Sequence, residues 1–422
     1  MFDVFVVLVL YLPFQLALNP VAGVDLASIR VLIIFLFAFW LMQGLKRKNI
    51  QINNNLQTWL VVAFLFLNTF SIFVAKNNDW SIRKLVFLFS IFPIYFVASQ
   101  LILTKFSALR VVNAIVVSAT VIAVIGIVQF LLQFLLGLDV VYDIWANFVI
   151  SPFLGQNLSE AVLKNPSWLV NIAGQTYLRA TSFFPDPHML AFYLGLSLPL
   201  AGGLWFSDKN QKWLAITSFS LILIADLLTF SRGGYMGLFS GLIFMGLFFS
   251  KTIFQKYKKT LILTICFVLV FISIPSPISQ RFFSSFNVKE GSNQGRMVMW
   301  KKATAVIIEN PLMGVGIGNF PLAVKATATY REPIYAHNTY LDIAVETGII
   351  NMLVWMGILL ITMRGFWQKA EKDKLFLGAL VSLIVFSAHS LVETAVYSPV
   401  VLTLFLIIIS LSNLKIKHEK TS

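Results

Sequence analysis

Apolar stretches long enough to cross a lipid bilayer recur along almost the whole chain. They lie at about 4–18, 26–45, 56–75, 85–103, 111–136, 188–206, 213–230, 234–250, 260–275, 347–363, 375–392 and 396–413. A bilayer core is spanned by roughly 20 apolar residues in a helix. Inside it, every backbone polar group must be satisfied within the segment, so such runs fold as helices. The pattern predicts an all-α integral membrane protein of about twelve transmembrane helices, a single polytopic domain over residues 1–422. The charge supply agrees: only 12% of residues are charged and 58% are apolar, against about 25% charged in soluble domains. Such a chain cannot cover a water-facing surface. The first run has no basic stretch ahead of it and is followed at once by another, which reads as an uncleaved first helix. Cys266, the one cysteine, lies inside an apolar run, so no intrachain disulfide can form.

The net charge of +14 raises the question of a nucleic-acid partner, and its distribution answers it. Lys and Arg sit in short segments between apolar runs, with no aromatic-interleaved basic domain. The charge instead sets topology by the positive-inside rule. With both termini cytoplasmic, more than half of the 32 Lys and Arg fall on the inside, including Lys46, Arg47, Lys48, the cluster from Lys251 to Lys259, and Lys415, Lys417 and Lys420. Two long segments, 137–187 and 276–345, then face outwards. Their aromatic residues (Trp145, Trp168, Trp300, Tyr330, Tyr335) predict that both are ordered.

Within the second segment, Met297, Trp300, Ala303 and Ile307 recur at helical spacing until Pro311, which predicts an amphipathic helix near 296–309. Gly314, Gly316 and Gly318 follow without the strand and βαβ unit of a dinucleotide site, so they read as a tight turn. Gly233, Gly234, Gly237, Gly241 and Gly246 stud the run at 234–250, and small residues at such spacing let membrane helices approach closely.

Cations stand at helix ends beside apolar sequence. Arg179 precedes the sixth run, and Arg232 lies in a Gly-flanked turn between the seventh and eighth. A charge beside the hydrocarbon is costly, so such an arginine is a candidate for function; pairing with Asp226 or with lipid headgroups is the structural alternative. The planar guanidinium fork matches phosphate oxygens, and two of them suit a membrane-bound diphosphate. Of the four histidines, His337 stands where a helix begins, and imidazole accepts protons near neutrality. His389 and Glu393, spaced i, i+4, predict a pair on one helix face. Asp186 with His188, and Asp139 with Asp143, offer too few ligands for a metal centre. No Walker loop, cofactor fingerprint or nucleophile with an adjacent base is present.

Four stretches together resemble the O-antigen ligase and polymerase superfamily of bacterial inner-membrane glycosyltransferases. They are Arg179-Ala-Thr-Ser-Phe-Phe-Pro-Asp-Pro-His188, Ser231-Arg232-Gly233-Gly234, the segment from Gly295-Arg296 through Trp300 and Asn310-Pro311 to Gly314, Gly316, Gly318 and Phe320, and His337-Asn338 with Leu341, Glu346 and Gly348. The resemblance covers about residues 170–395. The chain departs from the family pattern at His188, where an Asn is expected after the Pro. The resemblance implies a glycan donor on a polyprenyl diphosphate, a glycan, lipid or protein acceptor, inversion at the anomeric carbon, and no metal or cofactor. It implies a site on the outer side of the bacterial inner membrane. There Arg179 and Arg232 would bind diphosphate, and His337 would be the catalytic base. Arg296, Asn338, Glu346 and His389 would contact substrate or support the site. An O-antigen ligase-like acceptor choice is expected, with polymerase as the alternative. A lipid-linked sugar transporter or flippase is a further reading. It would need ionisable groups at the midplane rather than at one rim.

Overall fold

The computed structural model describes residues 1–21, 24–50, 52–164, 167–172, 174–207, 212–248, 276–284, 290–330, 332 and 334–414. Helices dominate. They are α1 (Phe2–Tyr11), α2 (Ser28–Lys46), α3 (Leu56–Phe70), α4 (Asn78–Ile91), α5 (Pro93–Leu101), α6 (Lys105–Leu136), α7 (Leu138–Ile144), α8 (Ile150–Leu154), α9 (Gln156–Lys164), α10 (Pro187–Ser207), α11 (Lys212–Leu228), α12 (Arg232–Phe248), α13 (Pro277–Ser284), α14 (Gly291–Glu309), α15 (Phe320–Val324), α16 (Thr339–Thr347), α17 (Ile349–Ala370), α18 (Lys374–His389) and α19 (Pro399–Ser410). Among the described residues, six helical stretches are long and apolar enough to cross a bilayer: Ser28–Lys46, Leu56–Val74, Asn78–Leu101, Lys105–Leu136, Pro187–Ser207 and Ile349–Ala370. With the shorter apolar helices beside them, the chain is a multi-pass membrane protein. The predicted run at 260–275 lies outside the described residues.

The centre of the bundle is α10, most of whose residues are buried. It packs against α6, α11 and α18. The approach to α18 is close: a Cβ on Gly378 would lie 2.5 Å from the Pro199 carbonyl oxygen and 3.2 Å from Gly203 Cα. Pro199 sits inside α10, and the small residues opposite it make room for the bulge it causes. Three of the glycines of α12 (Gly233, Gly237 and Gly241) turn towards Val385 or His389 of α18, so the glycine stripe is a packing surface. Gly246 meets nothing within 4 Å among the described residues.

Two departures from an all-helical fold stand out. The first apolar run does not stay helical to residue 18. A 3-10 turn at Leu12–Phe14 ends α1, and the chain enters an antiparallel hairpin of β1 (Ala17–Val21) and β2 (Val24–Ala27). Pro13 and Pro20 each lack an N–H for the helical ladder, which is why apolarity alone overran the element. In the segment 137–187, β3 (Leu169–Ile172) pairs with β4 (Gln175–Leu178). That segment also folds into α7, a π-helical turn, α8 and α9. The segment near 296–309, where an amphipathic helix is expected, lies within helix α14. The helix begins earlier, because Glu290 accepts a hydrogen bond from the Asn293 N–H and caps it. It buries Ala303 and Ile307, as its spacing predicts. The Gly314 turn is required by crowding. Gly314 has φ +66°, and a Cβ there would press on the Val345 carbonyl and lie 2.5 Å from the Glu346 carbonyl carbon.

Candidate functional site

One end of the bundle gathers the starts of α10, α12, α14 and α16 and the ends of α11 and α18. Backbone strain is concentrated here. Ser182, Phe230 and His337 hold φ near +50°, a region that side chains with a Cβ rarely adopt.

Arg179 follows β4 directly. Its N–H donates to the Trp168 carbonyl at 2.8 Å, and its side chain is 3% exposed. Nε donates to the Thr229 carbonyl at 2.7 Å and Nη1 to the Ser167 carbonyl at 2.9 Å. Nη2 has no partner among the described residues. Burial pulls this guanidinium down to about 9, and nearby Arg281 adds to the effect. A guanidinium so placed gains from any anion that reaches Nη2.

Arg232 opens α12 and is equally buried. Its predicted alternative partner, Asp226, does not pair with it: both Asp226 oxygens lack a hydrogen-bond partner among the described residues. Arg232 instead places Nη1 2.5 Å from Glu290 Oε2 and Nη2 2.6 Å from Ser292 Oγ. Arg281 of α13 reaches the same carboxylate at 3.8 Å and donates from Nε to the Phe230 carbonyl. Burial, with Arg232 nearby, lowers Arg281 to about 10.

Glu393 occupies the turn after α18. Its Oε1 lies 2.7 Å from His337 Nδ1, and its Oε2 lies 3.3 Å from Arg296 Nη2 and 3.9 Å from His188 Nδ1. Burial would raise Glu393, but His188, His337 and Arg296 outweigh it and hold the carboxyl well below its usual range. Burial also works to lower His337, yet the Glu393 hydrogen bond and charge prevail and its pKa is raised. Asn338 caps α16, accepting from the Tyr340 and Leu341 N–H groups, and its side-chain amide donates to the Leu391 carbonyl at 2.9 Å. It thereby ties the His337 turn to the Glu393 turn.

The expected His389–Glu393 face is corrected by the structure. α18 ends at His389, so the i, i+4 relation is lost and Glu393 swings to His337. His389 instead stacks on Phe192 at 3.6 Å, and its Nε2 has no partner among the described residues. Glu346, two turns along α16, is chelated by Lys84 at 2.7 and 2.8 Å and accepts from the Tyr397 hydroxyl. Asp186 caps α10 through the His188 and Met189 N–H groups, and burial raises it to about 6. Asp139 and Asp143 lie exposed on α7. Among the described residues no group of three or more His, Cys, Asp or Glu stands ready for a metal ion.

The result is one connected network. It runs from Arg281 through Glu290, Arg232, Ser292 and Arg296 to Glu393, and on to His337. His188 branches from it to Ser231, whose hydroxyl accepts from the Gly234 N–H in the first turn of α12. Arg179, Arg232, Arg296 and His337 are thus brought to one end. Sequence reasoning missed Glu290, Arg281 and Ser292, which lie in a stretch whose fold it could not place. It found Glu393 but paired it wrongly.

No curated protein matches the chain. A family model described as O-Antigen ligase matches residues 217–356. The match takes in Arg232, Arg296, His337, Asn338 and Glu346, and stops short of Arg179, His389 and Glu393. On this segment, which carries three of the four stretches of resemblance, the chain is similar to the O-antigen ligase family.

Proposed function

We propose that this protein is a glycosyltransferase that moves a glycan from a polyprenyl diphosphate to an acceptor hydroxyl on the outer side of the bacterial inner membrane. The observation that carries the reading is the joining of a histidine base to Arg296 through one carboxylate, Glu393, with Arg296 linked in turn through Ser292 to the buried Arg232. In this mechanism the acceptor oxygen attacks the anomeric carbon. The bond from that carbon to the diphosphate oxygen breaks, and its electron pair leaves with the polyprenyl diphosphate. The hydroxyl proton passes to His337 Nε2, because Nδ1 donates its hydrogen to Glu393 and leaves Nε2 as the acceptor. Arg179 and Arg232 take up the charge that develops on the leaving group. Attack opposite the leaving group inverts the anomeric centre. Charge neutralisation by arginines is the metal-independent solution for a lipid diphosphate.

A transporter would place its ionisable groups at the bilayer midplane, whereas the network described here sits at one end of the bundle. Reconstitution with polyprenyl-diphosphate glycan and candidate acceptors tests the reading. His337→Ala should lower transfer at least about 100-fold and leave donor binding intact. Arg232→Ala should weaken donor use. Full transfer by both variants would sink the assignment. Product analysis in the same assay separates a ligase, which joins the glycan to a different acceptor, from a polymerase, which extends the glycan itself.

A further inference from the structure

The carboxylate of Glu290 sits in a cradle built for an anion. Oε2 accepts from Arg232 Nη1 at 2.5 Å and from the Asn293 N–H at 3.3 Å, and Oε1 lies 3.8 Å from Arg281 Nη1. The Asn293 N–H belongs to the first turn of α14, a helix of 19 residues, whose unsatisfied N–H groups and dipole favour negative charge. Ser292 lies alongside, held between Arg232 Nη2 and Arg296 Nη1 at 2.6 and 3.5 Å.

The two partners of the central pair are unequal. The Arg232 side chain is 4% exposed, whereas that of Glu290 is 30% exposed. Arg232 is held at the first position of a packed helix, while Glu290 precedes α14 on the solvent side. If an external anion competes for the pair, Glu290 is the member that can withdraw into water. The donor's diphosphate carries two negative charges on its non-bridging oxygens, against the single charge of a carboxylate, and it meets the same donors.

We propose that this cradle is a phosphate subsite for the donor, and that Glu290 is an internal stand-in which the donor's diphosphate displaces on binding. The proposal rests on the transferase reading and adds Arg281, Ser292 and the α14 N-terminus to the diphosphate site. Glu290 keeps the arginines neutralised and positioned while no donor is present, and its displacement is part of donor recognition.

The test is direct binding of undecaprenyl diphosphate to the full chain in lipid nanodiscs, with no acceptor and no turnover. Glu290→Gln keeps the size and an accepting oxygen for the Asn293 N–H but lacks the competing charge. It should bind the lipid about tenfold more tightly than the wild type. Glu290→Asn, a good helix cap without charge, should gain affinity too, and it decides the matter if the Gln variant folds poorly. Unchanged or weaker binding by the folded variants, with a wild type that binds, overturns the stand-in and leaves the transferase reading in place. Failure of the wild type and both variants to bind overturns the diphosphate reading together with the inference.

Discussion

His337 Nδ1 lies 2.7 Å from Glu393 Oε1, across 56 residues of sequence. The imidazole comes from a strained turn before α16, with φ +50°, and the carboxylate from the turn after α18. The two turns are stapled by the Asn338 amide on the Leu391 carbonyl and by the Thr339 hydroxyl on the Glu393 carbonyl. The carboxylate fixes the ring's orientation and its tautomer, and raises its proton affinity.

This relationship predicts a pH profile. His337 must be neutral to accept the acceptor proton. Its pKa lies above the ordinary 6.5 because Glu393 outweighs burial, so transfer should rise with pH through a value above 6.5. Glu393→Gln removes the anion that raises His337. The acid limb should then move to lower pH, while the plateau falls roughly 10- to 100-fold as the ring loses its anchor. A pH–rate profile of both proteins reads this. An acid limb that stays in place in the Gln variant would remove Glu393 from the base.

The two arginines proposed to bind the diphosphate should fail differently. Arg232 uses both ends of its fork, on Glu290 and Ser292. Arg232→Lys keeps the charge but not the fork, so kcat/KM for the donor should fall about 10²- to 10³-fold. Arg179 also satisfies two backbone carbonyls, those of Thr229 and Ser167. Leaving buried acceptors unpaired costs about 1–3 kcal/mol each, so Arg179→Ala should lower thermal stability as well as donor use. Thermal unfolding beside kinetics separates the two, and equal stability loss in both variants would contradict the assignment.

The helical bundle was legible because apolar runs and helical period report burial along a single element. Arg179, Arg232 and His337 could be singled out because a charge or a base beside apolar sequence is costly, and the structure brings all three to one end of the bundle. What the sequence concealed depends on where elements stop. His389 and Glu393 look like helix neighbours until α18 ends at His389, and the partner of Glu393 then comes from 56 residues away. Glu290 is an ordinary acidic residue in the chain, and it becomes notable only when α14 starts beside Arg232. The hairpin at 17–27 was hidden by an apolar composition that a strand shares with a helix.

His188 departs from the Asn of the resembling family, and its contact says what the position does. Nδ1 lies 2.9 Å from Ser231 Oγ, the hydroxyl that accepts from the Gly234 N–H at the start of α12. An Asn amide can serve the same hydroxyl from the same helix turn. His188→Asn should therefore keep transfer within about threefold of wild type, a loss below 1 kcal/mol. His188→Leu, which offers no polar atom, should lose at least about tenfold. A severe loss in the Asn variant would instead make the imidazole itself part of the chemistry.

The glycines of α12 supply a test of how the bundle holds the Glu393 turn. A Cβ on Gly233 would lie 2.7 Å from His389 Nε2 and 2.9 Å from Val392 Cγ2. His389 has no room to yield, since it is 1% exposed and stacked on Phe192. Gly233→Ala should push the end of α18 outwards and move Glu393 off His337. Misplacement of about 1 Å can cost 10²-fold, so transfer should fall steeply while Arg232, one residue away, stays on α12. Gly246→Ala adds the same methyl where no described residue lies within 4 Å, and it should leave transfer within about twofold of wild type. Transfer assays on the matched pair decide the matter. Equal loss in both variants would mean that the helix, and not the contact with His389, is what the added methyl disturbs.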